Sequence, residues 1–283
     1  QALQQFSTPL PLAFVAAQAA AITPADLVLE PSAGTGLLAI YAELFGAGLA
    51  LNELADNRTA LLRGLFPTAA TTQHDAAHIH DFLDLSVQPS VVLMNPPFSA
   101  AAHVDGRVAD AAMRHIASAL ARLANGGRLV AITGASLSPD SLAWRDAFVR
   151  LQERARVVFS AAIDGRVYAR HGTTTDTRLT VIDKVTAPDP QVLRGSPGVA
   201  PDVATLLAWI ADLPPRPRVA VPQRVAQSVA RGTVHRPTPR IAVSQSPAEI
   251  TGVELAYETV EWTAADHGHL GESIYESYAL QSI

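Results

Sequence analysis

The 283-residue chain contains no cysteine and a single lysine, Lys184. The first absence removes disulfides, thiolate metal sites and a sulfur nucleophile together. The second belongs to a general bias toward arginine and alanine and marks no site. No apolar run approaches the roughly 18 residues of a membrane-crossing helix, and no leader-like segment opens the chain. A cytoplasmic protein without a membrane partner is therefore expected. Basic charge is also scarce, since the net charge is −5, which argues against a free-standing nucleic-acid binder. What remains is ordinary for a well-cored protein, with 48% hydrophobic and 17% charged residues. The length suits one large domain, or one domain with an appendage.

The most informative stretch is Val91-Val92-Leu93-Met94-Asn95-Pro96-Pro97-Phe98-Ser99. Four apolar residues, two of them β-branched, predict a fully buried strand. Two consecutive prolines lack the amide hydrogens of a ladder, so the strand must end at Asn95. Pro96 holds Asn95 extended, which projects the Asn95 amide, the Pro96 carbonyl and the Phe98 ring beyond the strand end. In an open parallel α/β sheet that is where ligands bind.

A second unit of this kind lies upstream. Asp26 to Glu30 predicts a buried strand, Pro31-Ser32-Ala33-Gly34-Thr35-Gly36 a tight turn, and Leu37 to Phe45 a helix. Strand, glycine turn and helix form the first unit of a doubly wound α/β sheet. The turn lacks the lysine of a phosphate-cradling loop and the third glycine of a dinucleotide fingerprint. Glu30 at the strand end would repel a pyrophosphate and suits a cationic or hydroxylated ligand. Ahead of it, Phe6-Ser7-Thr8-Pro9 reads as a helix start, with Thr8 as a simple N-cap in the plainest interpretation.

Gly48 to Asn52 predicts the second strand. Glu53 after it either accepts from ribose hydroxyls or caps the helix Ala55–Phe66. Ala70 to Gln73 is a third strand, and Asp75 beyond it is placed to accept from an adenine amine. His74, His78 and His80 with Asp75 and Asp81 have spacing that fits neither a strand face nor one helix face well, so solvated histidines are expected and no metal.

Val108 to Ala124 predicts a long helix with His115 packed in its apolar stripe. Arg128 to Thr133 is the fifth strand, followed by a helix from Ser138 to about Arg154. Arg156 to Ile163 and Arg178 to Val185 are the last two strands, with Tyr168 to Thr177 a polar loop between them. Periodicity then fades. Residues 187–201 are rich in proline and glycine, and a short helix is expected over Asp202 to Leu213. Six arginines and no acid lie between Pro214 and Arg240, and seven acids with no lysine or arginine between Glu249 and Glu276.

Phe-Ser-Thr-Pro, Leu-Glu-Pro-Ser-Ala-Gly-Thr-Gly, Asn-Glu, His-Asp-Ala and Asn-Pro-Pro-Phe occur in this order. In this the chain resembles the S-adenosylmethionine-dependent N6-adenine DNA methyltransferases, over roughly residues 3–185. The resemblance implies a mostly parallel seven-stranded sheet with the last strand antiparallel. It divides the chain into a methyltransferase domain, 1–185, and an irregular extension, 186–283. It further implies that Phe6 and Thr8 cover the methionine part of S-adenosylmethionine, and that Glu30, Ala33, Gly34 and Gly36 hold its amino acid and sugar. Glu53 would take the ribose and Asp75 the adenine amine. Asn95, Pro96, Pro97 and Phe98 would form the catalytic site, with the target base stacked on Phe98 and its amine held by the Asn95 oxygen and the Pro96 carbonyl.

The family's large target-recognition domain has no counterpart in this sequence. The tail is similar to the segment that joins a methylase-like module to a strawberry-notch-type helicase, which would make a helicase-like C-terminal region the partner that engages DNA. Asn-Pro-Pro-aromatic sites also occur in RNA and protein-glutamine methyltransferases, so those substrates stand as alternatives. A non-catalytic module that binds cofactor or DNA is a third.

Overall fold

The computed structural model describes residues 7–96 and 107–219. Within them, strands β1 (Leu27–Glu30), β2 (Gly48–Asn52), β3 (Ala70–Thr72), β4 (Val91–Met94) and β5 (Arg128–Gly134) run parallel. β6 (Arg156–Ile163) and β7 (Thr177–Asp183) form an antiparallel pair, and β7 inserts between β5 and β6. A two-residue edge strand, β8 (Val199–Ala200), pairs with β6 and extends the expected seven strands. The order across the sheet is β3-β2-β1-β4-β5-β7-β6-β8. Chain progression reverses between β1 and β4, so the crevice at their carboxyl ends is the topological switch point, where open α/β sheets bind ligands.

Parallel strands covered on both faces read as unbroken apolar runs, and β4 is the clearest case. Val91 and Leu93 face a core that includes α1 (Leu10–Ala20), part of α2 (Ala39–Leu44) and α7 (Val203–Ile210). Val92 and Met94 face the opposite core, with α4 (Ile79–Phe82), α5 (Arg107–Arg122) and α6 (Leu142–Gln152). All four side chains are fully buried, and each such burial contributes about 1.5–3 kcal/mol. Asn95 thus extends from one of the most firmly seated strands. A smaller apolar cluster joins Ala33 and Leu51 to Leu62 and Phe66, at the end of α3 (Asp56–Leu65).

Packed structure continues past residue 185. Leu206 and Ile210 of α7 lie in the same core as α1, and Arg216 Nη2 donates to both carboxylate oxygens of buried Asp26 at 2.8 and 2.9 Å. Arg128 forms a second buried pair with Asp183 and also donates to the Pro214 carbonyl. Arg216, the first arginine of the basic stretch, is a structural cation. Arginines 224, 231, 236 and 240 and the acidic stretch lie outside the described residues.

Two further expectations change. Ser138 to Ser141 is turn rather than helix, and α6 starts at Leu142. The stretch from Tyr168 does not begin as a polar loop. Gly165–His171 is a 3-10 helix capped by Asp164, and Tyr168 is buried within it.

Candidate active site

The glycine turn carries two glycines for different reasons. Gly34 has φ +56°, and a Cβ there would meet nothing within 4 Å, so its backbone faces open space. Gly36 has φ +83°, and a Cβ would lie 2.5 Å from the Phe66 ring. Gly36 is therefore required by packing on Phe66 as well as by its left-handed conformation. Ala33 donates its N–H to the Asn52 carbonyl at 2.9 Å, which ties the turn to the end of β2.

Glu30, at the end of β1, is buried, and its Oε2 has no partner among the described residues. Burial pushes its carboxyl well above the usual range; the Ala39 N–H opposes this and the nearby Glu53 charge adds to it. An isolated buried carboxylate is costly, so this position favours either a proton or a cationic group from a ligand.

Glu53 is only 1% exposed and fully engaged. One oxygen accepts from the Gly34 N–H at 2.9 Å; the other accepts from the Ala55 N–H at 3.0 Å and from Arg58 at 2.6 Å. The helix-start role expected as the alternative is thus present, and the glycine turn and Arg58 are added to it. Arg58, 27% exposed, covers the carboxylate from the solvent side. Neighbouring Asn52 was not singled out in the sequence, although it is fully buried. Its Nδ2 donates to the Pro31 and His74 carbonyls at 2.8 and 2.9 Å, and its Oδ1 accepts from Thr72 and the His74 N–H. A buried carboxamide with four partners locks the ends of β1, β2 and β3 together.

Asp75 is exposed and accepts from the Ala77 N–H at 2.9 Å, capping a short 3-10 turn. His74 stacks on the exposed Phe82 ring, 5.2 Å between centroids. Among the described residues no three His, Asp or Glu side chains are grouped as metal ligands.

Asn95 follows β4, with Pro96 buried behind it. Its Nδ2 donates to Thr8 Oγ1 at 2.9 Å. Thr8 is therefore no simple helix cap: α1 starts behind Pro9 with no side-chain cap among the described residues, and the hydroxyl reaches the β4 end instead. Asn95 Oδ1 is buried and has no partner among the described residues. The Tyr168 hydroxyl shares that condition and lies beside the Asn95 side chain. Phe6, Pro97 and Phe98 fall outside the described residues. Glu30, Gly34 and Glu53 are thus grouped around the ends of β1 and β2, and Thr8 and Asn95 at the end of β4. All lie at the carboxyl side of the parallel strands.

This sheet order, with an antiparallel strand inserted beside β5 and the glycine turn after β1, defines a Rossmann-like methyltransferase fold. Residues 17–157 match the family model of the methyltransferase small domain. Solved structures agree in fold. The putative class I S-adenosylmethionine-dependent methyltransferase lmo1582 of Listeria monocytogenes superposes with TM-score 0.56 at 14% identity, over 75% of this chain and 72% of that one. The EcoKI M protein of a type I restriction enzyme gives 0.52 at 18%, over 66% and 45%. A modification subunit of a putative type I restriction enzyme from Vibrio vulnificus YJ016 gives 0.51 at 16%, over 64% and 44%. The chain thus spans under half the length of these two type I subunits. No curated protein matches it in sequence. Residues 17–157 thus carry the methyltransferase small domain, and S-adenosylmethionine is the cofactor that this domain implies. The residues present fit that ligand in chemical character, since one oxygen of buried Glu30 has no partner among the described residues and the Gly34 backbone is open. No helix among the described residues is long and apolar enough to cross a membrane.

Proposed function

We propose that the domain methylates the exocyclic N6 amine of adenine in DNA. The observation that carries this reading is the Asn95 carboxamide at the end of β4. Its nitrogen is already committed to Thr8, while its buried oxygen has no partner among the described residues. A buried acceptor without a donor is costly, and a substrate N–H removes the cost.

In this reading Glu30 pairs with the ammonium of the methionine moiety, and Thr8, with Phe6 beside it in sequence, closes over that moiety. Ala33, Gly34 and Gly36 shape the turn against the amino acid and sugar, Glu53 accepts from the ribose, and Asp75 accepts from the adenine amine of the cofactor. S-adenosylmethionine, when bound, supplies a methyl group already activated on a sulfonium. The chain's own task is then positioning and preorganised polarity. Asn95 Oδ1 and the Pro96 carbonyl accept the two N–H bonds of the target amine, which draws its lone pair out of ring conjugation and toward the methyl carbon. Transfer to that amine would leave the bonding pair on sulfur, and the surplus amine proton would pass to solvent. Phe98 would stack the target base, flipped out or single-stranded, with Pro97 completing the Asn-Pro-Pro-Phe set. DNA is the proposed polymer partner, delivered by a helicase-like region of the strawberry-notch type, in keeping with the acidic balance of this chain.

The test is transfer of labelled methyl from S-adenosylmethionine to duplex DNA, single-stranded DNA, RNA and bulk protein, with Asn95→Ala beside the wild type. Label recovered as N6-methyladenine in DNA, and lost in the variant, is the expected result. Label in RNA or protein would replace DNA as the substrate, and bound cofactor without any label would replace the enzyme with a binding module.

A further inference from the structure

Two separate segments share the adenosine of the methyl donor in the proposed reading: the glycine turn with Glu53, and the loop that carries Asp75. β1 and β3 lie on opposite sides of β2, so no ladder joins these segments directly. The β1–β2 register closes at Glu30 opposite Leu51, and the β2–β3 register at Asn52 opposite Thr72. Beyond those rungs the chain leaves the sheet on both sides, and an adenosine would have to bridge the gap.

The Asn52 side chain already bridges it. Its Nδ2 donates to the Pro31 carbonyl at 2.8 Å and to the His74 carbonyl at 2.9 Å. Its Oδ1 accepts from the His74 N–H and from the Thr72 hydroxyl, each at 2.9 Å. One carboxamide thus grips the first residue of the turn and both backbone groups of the residue before Asp75. The task needs two donors and an acceptor on one short planar group. Aspartate only accepts, and serine or threonine offers a single donor.

We infer that Asn52 is a positioning residue for the methyl donor, setting the separation between the glycine turn and Asp75 at which an adenosine spans them. The inference rests on the roles proposed above for Glu53 and Asp75. Three ties hold the turn to the end of β2. Two belong to Asn52: its side chain on the Pro31 carbonyl, and its own carbonyl accepting from the Ala33 N–H at 2.9 Å. The third, from the Gly34 N–H to Glu53 at 2.9 Å, is the one a ribose would draw on. Asn52 therefore keeps the turn in place while Glu53 engages the ligand. On the other side, Asp75 accepts from the Ala77 N–H within its own short helix. Its place relative to the turn is set through His74.

The experiment compares S-adenosylhomocysteine with S-inosylhomocysteine by calorimetry, on the full 283-residue chain and on its Asn52→Ala and Thr72→Val variants. The inosine base presents an oxygen where adenine presents its amine, so a carboxylate acceptor rejects it. A loss of stability alone lowers the competent fraction and weakens both ligands by the same factor, leaving their ratio unmoved. A displaced Asp75 lowers the ratio. The expected preference for the adenosine ligand falls about threefold to tenfold in Asn52→Ala. It falls less, in the same direction, in Thr72→Val, which keeps the carboxamide but loses the hydroxyl that orients its oxygen. Should the alanine variant not fold, Thr72→Val decides alone. A wild-type preference that neither substitution moves overturns the inference and leaves the roles of Glu53 and Asp75 standing. Equal binding of the two ligands by the wild type removes the Asp75 contact from the proposed function, and this inference with it.

Discussion

Asn95 and Thr8 share a hydrogen bond of 2.9 Å although they stand 87 positions apart. The contact joins the segment before α1 to the end of β4, the strand that carries the proposed amine acceptor. Thr8→Val preserves shape and removes the acceptor. Methyl transfer should fall about 10- to 100-fold, by loss of a positioning contact. Stability should fall by only about 1 kcal/mol in urea unfolding, the net worth of one hydrogen bond. Thr8→Ser should recover most of the rate.

Glu30 gives the domain a proton linkage. Its carboxyl is raised by burial, so the free protein holds a proton there above the ordinary carboxylate range. That neutral form contributes stability that is full below the unfolded pKa and lost as pH rises through the raised folded value. Pairing with an ammonium group expels the proton. Affinity for S-adenosylhomocysteine should therefore strengthen as pH rises toward the raised value and then level off. Calorimetry in two buffers of different ionisation enthalpy should show proton release, absent in Glu30→Gln.

If Glu53 takes the ribose as proposed, Arg58 competes with it for one carboxylate. Arg58 holds the Glu53 oxygen at 2.6 Å and covers it. Arg58→Ala should tighten S-adenosylhomocysteine binding by about 2- to 5-fold, since the displaced ion pair is partly exposed and worth up to about 1 kcal/mol. Weaker binding in the variant would show that the pair shapes the pocket instead.

Asp26 and Arg216 test how far the folded body extends. Burial raises the Asp26 carboxyl, but bonds from Ser90, Arg216 and Thr23 outweigh it and hold it below the usual range. A depressed acid stabilises above its unfolded pKa, and that contribution is lost as pH falls through the folded value. Asp26→Asn leaves Arg216 buried without its counter-charge and should cost about 3 kcal/mol in urea unfolding at neutral pH, with a smaller difference from wild type at strongly acidic pH. Truncation before Pro214 should produce a loss of similar size, because it removes Arg216 and the Pro214 carbonyl that Arg128 uses.

What the sequence made legible was local. The apolar run into Asn95 and Pro96, and the glycine turn after Glu30, follow from chemistry confined to a few residues, and both strands lie where those residues required. What escaped was contact between distant segments. Thr8 resembled a helix cap because Pro9 follows it, and its partner lies in another strand. Tyr168 was grouped with the threonines after it, since a 3-10 helix of seven residues carries no clear periodicity. Arg58 had the pattern of a solvated helix residue. Val199-Ala200 is too short to signal a strand, and the proline-rich surroundings of Arg216 hid an ion pair that only the fold brings together.

The division of labour between β1 and β4 has an evolutionary reach. Glu30 and the glycine turn belong to one strand end and Asn95 to another, with separate hydrogen-bond partners. Selection can therefore erase one without dismantling the other. On the proposed reading, a descendant that exchanged Asn95 for a residue without an acceptor would keep the β1 end that holds the methyl donor and bind it without transferring the methyl group.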